Sequence, residues 1–235
     1  MNPLRTLDDR LFIAVNDWAR DTPALHAWVL GYATYGVVLF AALMVCALVV
    51  ARHRSSRDLA ATGWVPLAML IAVTLNQPIG RLVGEARPYA AHPAILRLAD
   101  ITTDFSFPSD HAVMAGAVAA GLLLAHRRLG IVAVVAALLM AFSRVYIAAH
   151  YPWDVLAGLL LGAAVALAGW ALLRVPLTTL TEWLRSLPGL RTVFAPADVP
   201  TRTAANLDEL AVVPPQHLTG IGAGPQGSTE GRTHP

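Results

Sequence analysis

The sequence predicts an all-α protein: an integral membrane helical bundle of about five transmembrane helices, with an N-terminal interfacial amphipathic helix and a disordered C-terminal tail. Three observations carry that expectation. Hydrophobic residues make up 56% of the 235 residues and charged residues only 14%, whereas soluble domains carry about 25% charged residues to cover their surface. Mean hydropathy is +0.57. Several apolar runs are long enough to cross roughly 30 Å of hydrocarbon.

Taken in order, residues 4–21 alternate apolar positions (Leu4, Leu7, Leu11, Phe12, Val15, Trp18) with charged ones (Arg5, Asp8, Asp9, Arg10, Asp17, Arg20). That pattern suits a helix lying in the membrane interface, so residues 1–27 are expected to form an interfacial segment. It lacks the basic start, clean apolar core and small-residue cleavage site of a signal peptide. Spans are predicted at 28–51, 59–83, 109–126, 129–149 and 153–174, giving a transmembrane domain over 28–174. Their Ala, Gly, Val and Leu content permits close helix approach, and Gly158 and Gly162 form a small-xxx-small pair suited to it. Pro88, Pro108 and Pro152 fit the first turns of helices or the loops before them. Residues 175–235 are expected to be a cytoplasmic tail, with a short amphipathic stretch over Leu177–Leu187 followed by largely disordered Pro-, Gly-, Thr- and Ala-rich sequence.

Arg52, His53, Arg54 and Arg57 follow the first span, and Arg127 and Arg128 follow the third. Cytoplasmic loops collect basic residues, so both are assigned to that side and the 84–108 loop and the His150–Trp153 turn to the external face. A net charge of +2 without a block of like charge excludes a nucleic-acid surface. All basic residues except histidine are arginine. The single cysteine, Cys46, rules out an intrachain disulfide and reads as a buried small hydrophobe.

Three polar clusters interrupt the apolar chain: Arg81 to Arg87-Pro88, Phe107-Pro108-Ser109-Asp110-His111, and Ser143-Arg144-Val-Tyr-Ile-Ala-Ala-His150-Tyr-Pro-Trp-Asp154. An arginine at the end of a membrane-length run costs roughly 2.5–3.5 kcal/mol at mid-bilayer and is expected to face a partner or a polar cavity. If the helix continues through the third cluster, His150 and Asp154 share a face. The carboxylate then accepts one ring N–H and leaves the other nitrogen free. Arginines, a serine hydroxyl, two histidines and a carboxylate at one membrane face suit a phosphate ester or anhydride.

These clusters resemble the signature of the type 2 phosphatidic acid phosphatase superfamily of membrane lipid phosphatases: Lys, six residues, Arg-Pro; Pro-Ser-Gly-His; then Ser-Arg, five residues, His, three residues, Asp. The third motif matches in full. In the first, Gly80 stands where the pattern has lysine, with Arg81 beside it. In the second, Asp110 replaces glycine, and the resulting Ser-Phe-Pro-Ser-Asp-His is similar to bacterial undecaprenyl-diphosphatases. The resemblance implies that His150 forms a phosphohistidine, that Asp154 orients it, and that His111 protonates the leaving group and then activates water. It also implies that Arg87, Ser109 and Arg144 hold the phosphoryl oxygens, that Ser143 supports or joins them, and that Arg81 stands in for the lysine. No metal or other cofactor is implied.

The reading adopted is a lipid phosphatase acting on a polyprenyl diphosphate, with undecaprenyl diphosphate first, on the external face of a bacterial inner membrane. Phosphatidate, phosphatidylglycerophosphate or another lipid phosphate is the alternative substrate. A transporter or a non-catalytic binder of lipid phosphate is the alternative of another class. His53, His92 and His126 read as interfacial residues, and Asp104 and Glu85 as solvent-facing loop acids. Trp153 reads as part of the interfacial aromatic belt and Tyr146 as packing or pocket lining. Asp110 is assigned to capping the third span, to contacting a second phosphate through a cation, or to tuning His111, with capping weighted first.

Overall fold

The computed structural model describes residues 3–187 and 189, and among them all regular structure is helical. In chain order the helices are α1 (Pro3–Asp21), α2 (His26–Ala51), α3 (Ser56–Val83), α4 (Pro88–Ala91), α5 (Asp110–Ala125), α6 (Arg127–Tyr146) and α7 (Pro152–Ser186). Most of the expected tail lies outside the described residues. Its first part does not: α7 runs through Pro176 to Ser186 without stopping at 174.

Four stretches have the length and composition to cross a membrane: Pro23–Ala51, Ser56–Ala91, Arg127–Tyr146 and Pro152–Ser186. The protein is a multi-pass membrane protein. The fifth expected span, α5, has only 16 residues, about 24 Å of helix. It is also the central helix of the bundle. α5 packs against α3, α6 and α7, and Ala112, Val113, Ala115, Gly116, Ala117 and Val118 are all buried. The outer surface is correspondingly apolar: Val38, Leu70, Leu138 and Leu160 are each more than half exposed, as lipid-facing residues are. Cys46 belongs to this exposed set, not to the core.

Small residues set the α5–α7 distance. A Cβ on Gly162 would fall 2.0 Å from the Val113 carbonyl oxygen, and one on Gly158 would fall 2.8 Å from the Ser109 carbonyl oxygen. The backbones therefore touch, and Ser109 N–H donates to the Asp154 carbonyl at 3.1 Å. This contact brings the first turns of α5 and α7 together, and with them the second and third sequence clusters.

The segment between α3 and α5 reaches the same place by other means. α3 stops at Gly84, whose φ of +64° closes the helix with a bond from its N–H to Gly80 O, a left-handed cap that glycine adopts without a Cβ penalty. The following loop is pinned to the α6–α7 turn by Leu98 and Ala99, whose N–H groups both donate to Ile147 O. α1 clamps it from outside. Asn16 exchanges two hydrogen bonds with the backbone of Leu96, at 2.7 and 3.0 Å, Arg5 pairs with Glu85 at 3.4 Å, and Asp9 lies 3.5 Å from His92. α1 thus turns Asp8, Phe12, Asn16 and Ala19 inward while Leu4, Leu7, Leu11 and Trp18 remain largely exposed. Trp153 is 40% exposed beside it, and Tyr146 is fully buried packing, its hydroxyl 2.9 Å from that of Thr22.

Candidate active site

The expected helical pairing of His150 and Asp154 does not form, because α6 ends at Tyr146 and the chain turns through Ala148 at φ +64°. A side chain costs roughly 1–2 kcal/mol in that left-handed region. Two bonds hold the turn: Ala149 N–H and His150 N–H both reach Arg144 O, at 3.0 and 3.3 Å. α7 then begins at Pro152, and Asp154 in its first turn accepts the Tyr151 N–H at 2.8 Å. That is the return half of a capping box.

The turn buries His150 at 2% exposure and fixes its proton. Nδ1 lies 2.7 Å from the carbonyl oxygen of Ser106, which only accepts, so Nδ1 carries the hydrogen. Nε2 lies 3.3 Å from Arg87 Nη1, which only donates, so Nε2 carries the lone pair. Both constraints select one neutral tautomer. Burial, followed by the guanidinium charges of Arg87 and Arg144, holds the imidazole well below its ordinary pKa. The result is an uncharged imidazole with its lone pair on Nε2, the form that a nucleophilic role requires.

Nε2 faces a cavity of about 300 Å³ that Arg87, Asp104, Asp110, His111, Arg144 and His150 line together with Leu30, Ala33 and Thr34 of α2. Arg87 is held on three sides: Nε and Nη2 donate to Asp104 at 3.1 and 2.8 Å, and Nη1 donates to Ala149 O at 2.8 Å. Asp104 is exposed, as expected from its loop, but its carboxylate is also committed to Arg87. Burial pushes its carboxyl up, but the hydrogen bonds from Thr102 and Arg87 and the Arg87 charge outweigh that, and its pKa sits below the usual value. Glu85 likewise pairs with Arg5, and its carbonyl accepts the Ser106 N–H at 2.8 Å.

Arg144 makes one long contact, from Nη1 to Ala33 O at 3.5 Å, and its Nε is buried without a partner. His111 lines the cavity from the first turn of α5. The Ser109 hydroxyl is buried without a partner beside them. Arg87, Arg144, His111 and His150 thus meet around one space.

Three expected site residues lie elsewhere or act differently. The Ser143 hydroxyl is turned back along α6, donating to Met140 O at 2.8 Å, so it points away from the cavity's ligand-facing groups. Arg81 is exposed and lines an adjoining cavity of about 230 Å³ with Asn76, Gln77 and Gly80. Asp104, Phe105, Pro108 and Asp110 border both spaces. Gly80 packs against Phe107, where a Cβ would lie 3.2 Å from its carbonyl oxygen. Asp154 sits 3.7 Å from His150 Nδ1, too far for a hydrogen bond.

Asp110 does not cap α5. Ser109 is the N-cap, without a side-chain capping bond, and the Asp110 carboxylate accepts from Asn76 at 2.7 Å and from Gln77 at 3.1 Å. Ser106, whose carbonyl and hydroxyl both touch the third cluster, was missed from sequence. Its adjacency to Phe107-Pro108 is the one signal that could have drawn attention to it.

Two guanidiniums, an oriented nucleophilic nitrogen and a second imidazole around one cavity form a site suited to phosphoryl transfer within a membrane bundle. Comparison with known proteins agrees. The family model described as the PAP2 superfamily matches residues 61–175. The decaprenylphosphoryl-5-phosphoribose phosphatase of Mycobacterium tuberculosis is 35% identical over 158 residues, covering 66% of this chain and 84% of that protein. The undecaprenyl-diphosphatase BcrC of Bacillus subtilis is 28% identical over 155 residues, covering 66% and 78%. The crystal structure of Aquifex aeolicus LpxE shares the fold at a TM-score of 0.57 and 23% identity, covering 70% of this chain and 95% of that one. The chain belongs to the PAP2 superfamily, and it is a membrane lipid phosphatase of that family.

Proposed function

We propose that this phosphatase hydrolyses a polyprenyl diphosphate, with undecaprenyl diphosphate as the preferred substrate, to the monophosphate and inorganic phosphate. The observation that carries the mechanism is His150, with Nδ1–H donated to Ser106 and the Nε2 lone pair turned into a cavity beside Arg87, Arg144 and His111.

In the first step Nε2 attacks the terminal phosphorus, the N–P bond forms, and the bond from phosphorus to the bridging oxygen breaks. His111 gives that oxygen its proton, and the lipid monophosphate leaves. Arg87 and Arg144 neutralise the charge on the equatorial oxygens, and the free hydroxyl of Ser109 supplies a further donor. In the second step His111 takes a proton from water as the water attacks phosphorus. The N–P bond breaks, and phosphate departs with His150 again neutral.

The choice of a diphosphate is supported by Asp110 in the second motif and by the relatives named undecaprenyl-diphosphatase; the decaprenylphosphoryl-5-phosphoribose phosphatase supports only a polyprenyl-linked phosphate. Arg81 in the adjoining cavity lies within the same region of the fold and is the cation available to a second phosphate. A site on the external face is supported by Arg52 and Arg54 in the α2–α3 loop, Arg57 in the first turn of α3 and Arg127 and Arg128 in the first turn of α6, none of which lines the cavity; a bacterial inner membrane is the setting this reading assigns to it.

Phosphate release by purified protein from undecaprenyl diphosphate, undecaprenyl phosphate, phosphatidate and phosphatidylglycerophosphate, with and without EDTA, tests the reading. The expected result is fastest release from the diphosphate, unchanged by EDTA. Preference for phosphatidate or phosphatidylglycerophosphate would replace the substrate, and release from none of the four would favour binding or transport.

A further inference from the structure

Ser106 is fully buried, and each of its polar atoms closes a contact distant in sequence. Its N–H donates to Glu85 O at 2.8 Å, just ahead of Arg87. Its carbonyl accepts Nδ1–H of His150 at 2.7 Å. Its hydroxyl donates to Asp154 Oδ2, the same oxygen that accepts the Tyr151 N–H. One residue thus ties together the segments bearing all three sequence clusters. Asp154 Oδ2 meanwhile stands 3.7 Å from His150 Nδ1, and Oδ1 has no hydrogen-bond partner.

We propose that Ser106 is the positioning residue of the nucleophile, and that Asp154 acts on His150 through the Ser106 hydroxyl and not by accepting the ring proton itself. A hydroxyl has one hydrogen, and here it goes to Asp154, which fixes the Ser106 side chain. With that hydroxyl and the N–H both anchored, the Ser106 Cα is held from two sides, and the next peptide plane, which carries the carbonyl, turns from a fixed point. Its carbonyl is aimed at Nδ1, and a carbonyl can hold only the tautomer whose lone pair is on Nε2. The carboxylate's charge is set one residue back from the ring. It also fixes the start of α7, so the ring's support and the helix's support share one oxygen.

This assignment rests on the reading of His150 as nucleophile. The test combines kcat and KM for Ser106→Ala, Asp154→Ala and the double variant with ¹⁵N spectra of the His150 imidazole in the full-length protein. Misplacing the ring is expected to lower kcat about 10²-fold in each single variant, with KM changed by less than about threefold. The double variant is expected to be no slower than the worse single one. Ser106→Thr, which keeps the hydroxyl, is expected to recover part of the loss. The wild-type spectrum is expected to show hydrogen on Nδ1, and both single variants a mixture of tautomers.

Wild-type kcat in Ser106→Ala, or losses that multiply in the double variant, would overturn the assignment. If Ser106→Ala does not fold, Asp154→Ala, which removes the acceptor altogether, decides: an unchanged tautomer there overturns it. Hydrogen on Nε2 in the wild type overturns it whatever the activity. A wild type that shows the Nδ1–H tautomer yet releases no phosphate from any lipid would instead remove the phosphatase reading and leave the orienting role in place.

Discussion

Arginines gather at both ends of this bundle, and they do different things. At the end remote from the cavity, Arg185 near the C-terminus of α7 donates through Nη2 to Arg52 O and Arg54 O and through Nη1 to Ser56 Oγ. Arg54 pairs with Asp58 one turn along, at 2.8 Å. These guanidiniums close a loop onto a helix end, using carbonyls that α2 leaves without intrahelical partners. At the cavity end, Arg87 is buried against its own carboxylate and Arg144 has almost nothing to bind. Burying a cation without full pairing costs free energy that a structural role would not justify. In the proposed mechanism the open donors of Arg144 take the oxygens of an arriving phosphoryl group.

Substitutions can break or sharpen that contrast. The largest effect is expected for His150→Ala: loss of the nucleophile should cut phosphate release by roughly 10⁴-fold or more while the protein still elutes as a folded species. Turnover near wild type would remove the phosphohistidine mechanism. His111→Ala should cost less, about 10²–10⁴-fold in kcat, and a substrate with a better leaving group should recover part of the loss. Equal losses with good and poor leaving groups would deny His111 the role of acid.

A smaller effect is expected where the sequence placed a stand-in for lysine. Arg87→Ala should lower kcat about 10²-fold or more, as loss of a charge-stabilising donor does. Arg81→Ala should cost less than about tenfold on the diphosphate and nothing on a monophosphate, since it lines the adjoining cavity. Equal losses for the two would place Arg81 on the attacked phosphoryl group.

Arg185→Ala, at the far end, should leave kcat unchanged. The same change should lower the midpoint of thermal unfolding by about 2–4 °C, the equivalent of roughly 1 kcal/mol in a chain of this size. Loss of turnover at an unchanged midpoint would dissolve the distinction between the two ends.

The smallest effect concerns Asp8, which accepts the Trp153 N–H at 3.0 Å. Burial raises its pKa to about 6, despite that hydrogen bond and with the help of Asp154, Glu85 and Asp9. A carboxyl raised on folding favours the folded state while it is protonated, so its contribution is complete below about pH 4 and is lost as pH rises through about 6. Asp8→Asn should therefore raise the thermal midpoint above wild type at pH 7.5 and match it near pH 4. A gain independent of pH would show that charge is not the cause.

Much of this was legible in the sequence, and the part that was not has a common reason. Hydropathy located α2, α3, α6 and α7 because length and apolarity are local properties, and Gly158 and Gly162 announced helix contact by their spacing. α5 was read as a fifth span because its composition is apolar; only packing shows that most of its apolar residues face α3, α6 and α7. The third motif put His150 and Asp154 in one neighbourhood, but helical spacing failed there because Ala148 turns the chain between α6 and α7. Asp104 was read only as a loop acid, with no partner, and Ser106 was given no role. Their partners Arg87, His150 and Asp154 lie 17, 44 and 48 residues away, beyond any periodic signal.

The brevity of α5 has a consequence for depth. His126 alone separates α5 from α6, so the two helices begin level at that end. The 16 residues of α5 rise about 24 Å and the 20 of α6 about 30 Å, so α5 stops roughly one turn short at the other. His111, in its first turn, sits at the bottom of that step, with Leu30, Ala33 and Thr34 of α2 forming one wall of the recess. A lipid need not lift its chain out of the bilayer to be cut here. Its phosphate end would meet His111 about one helical turn below the end of α6.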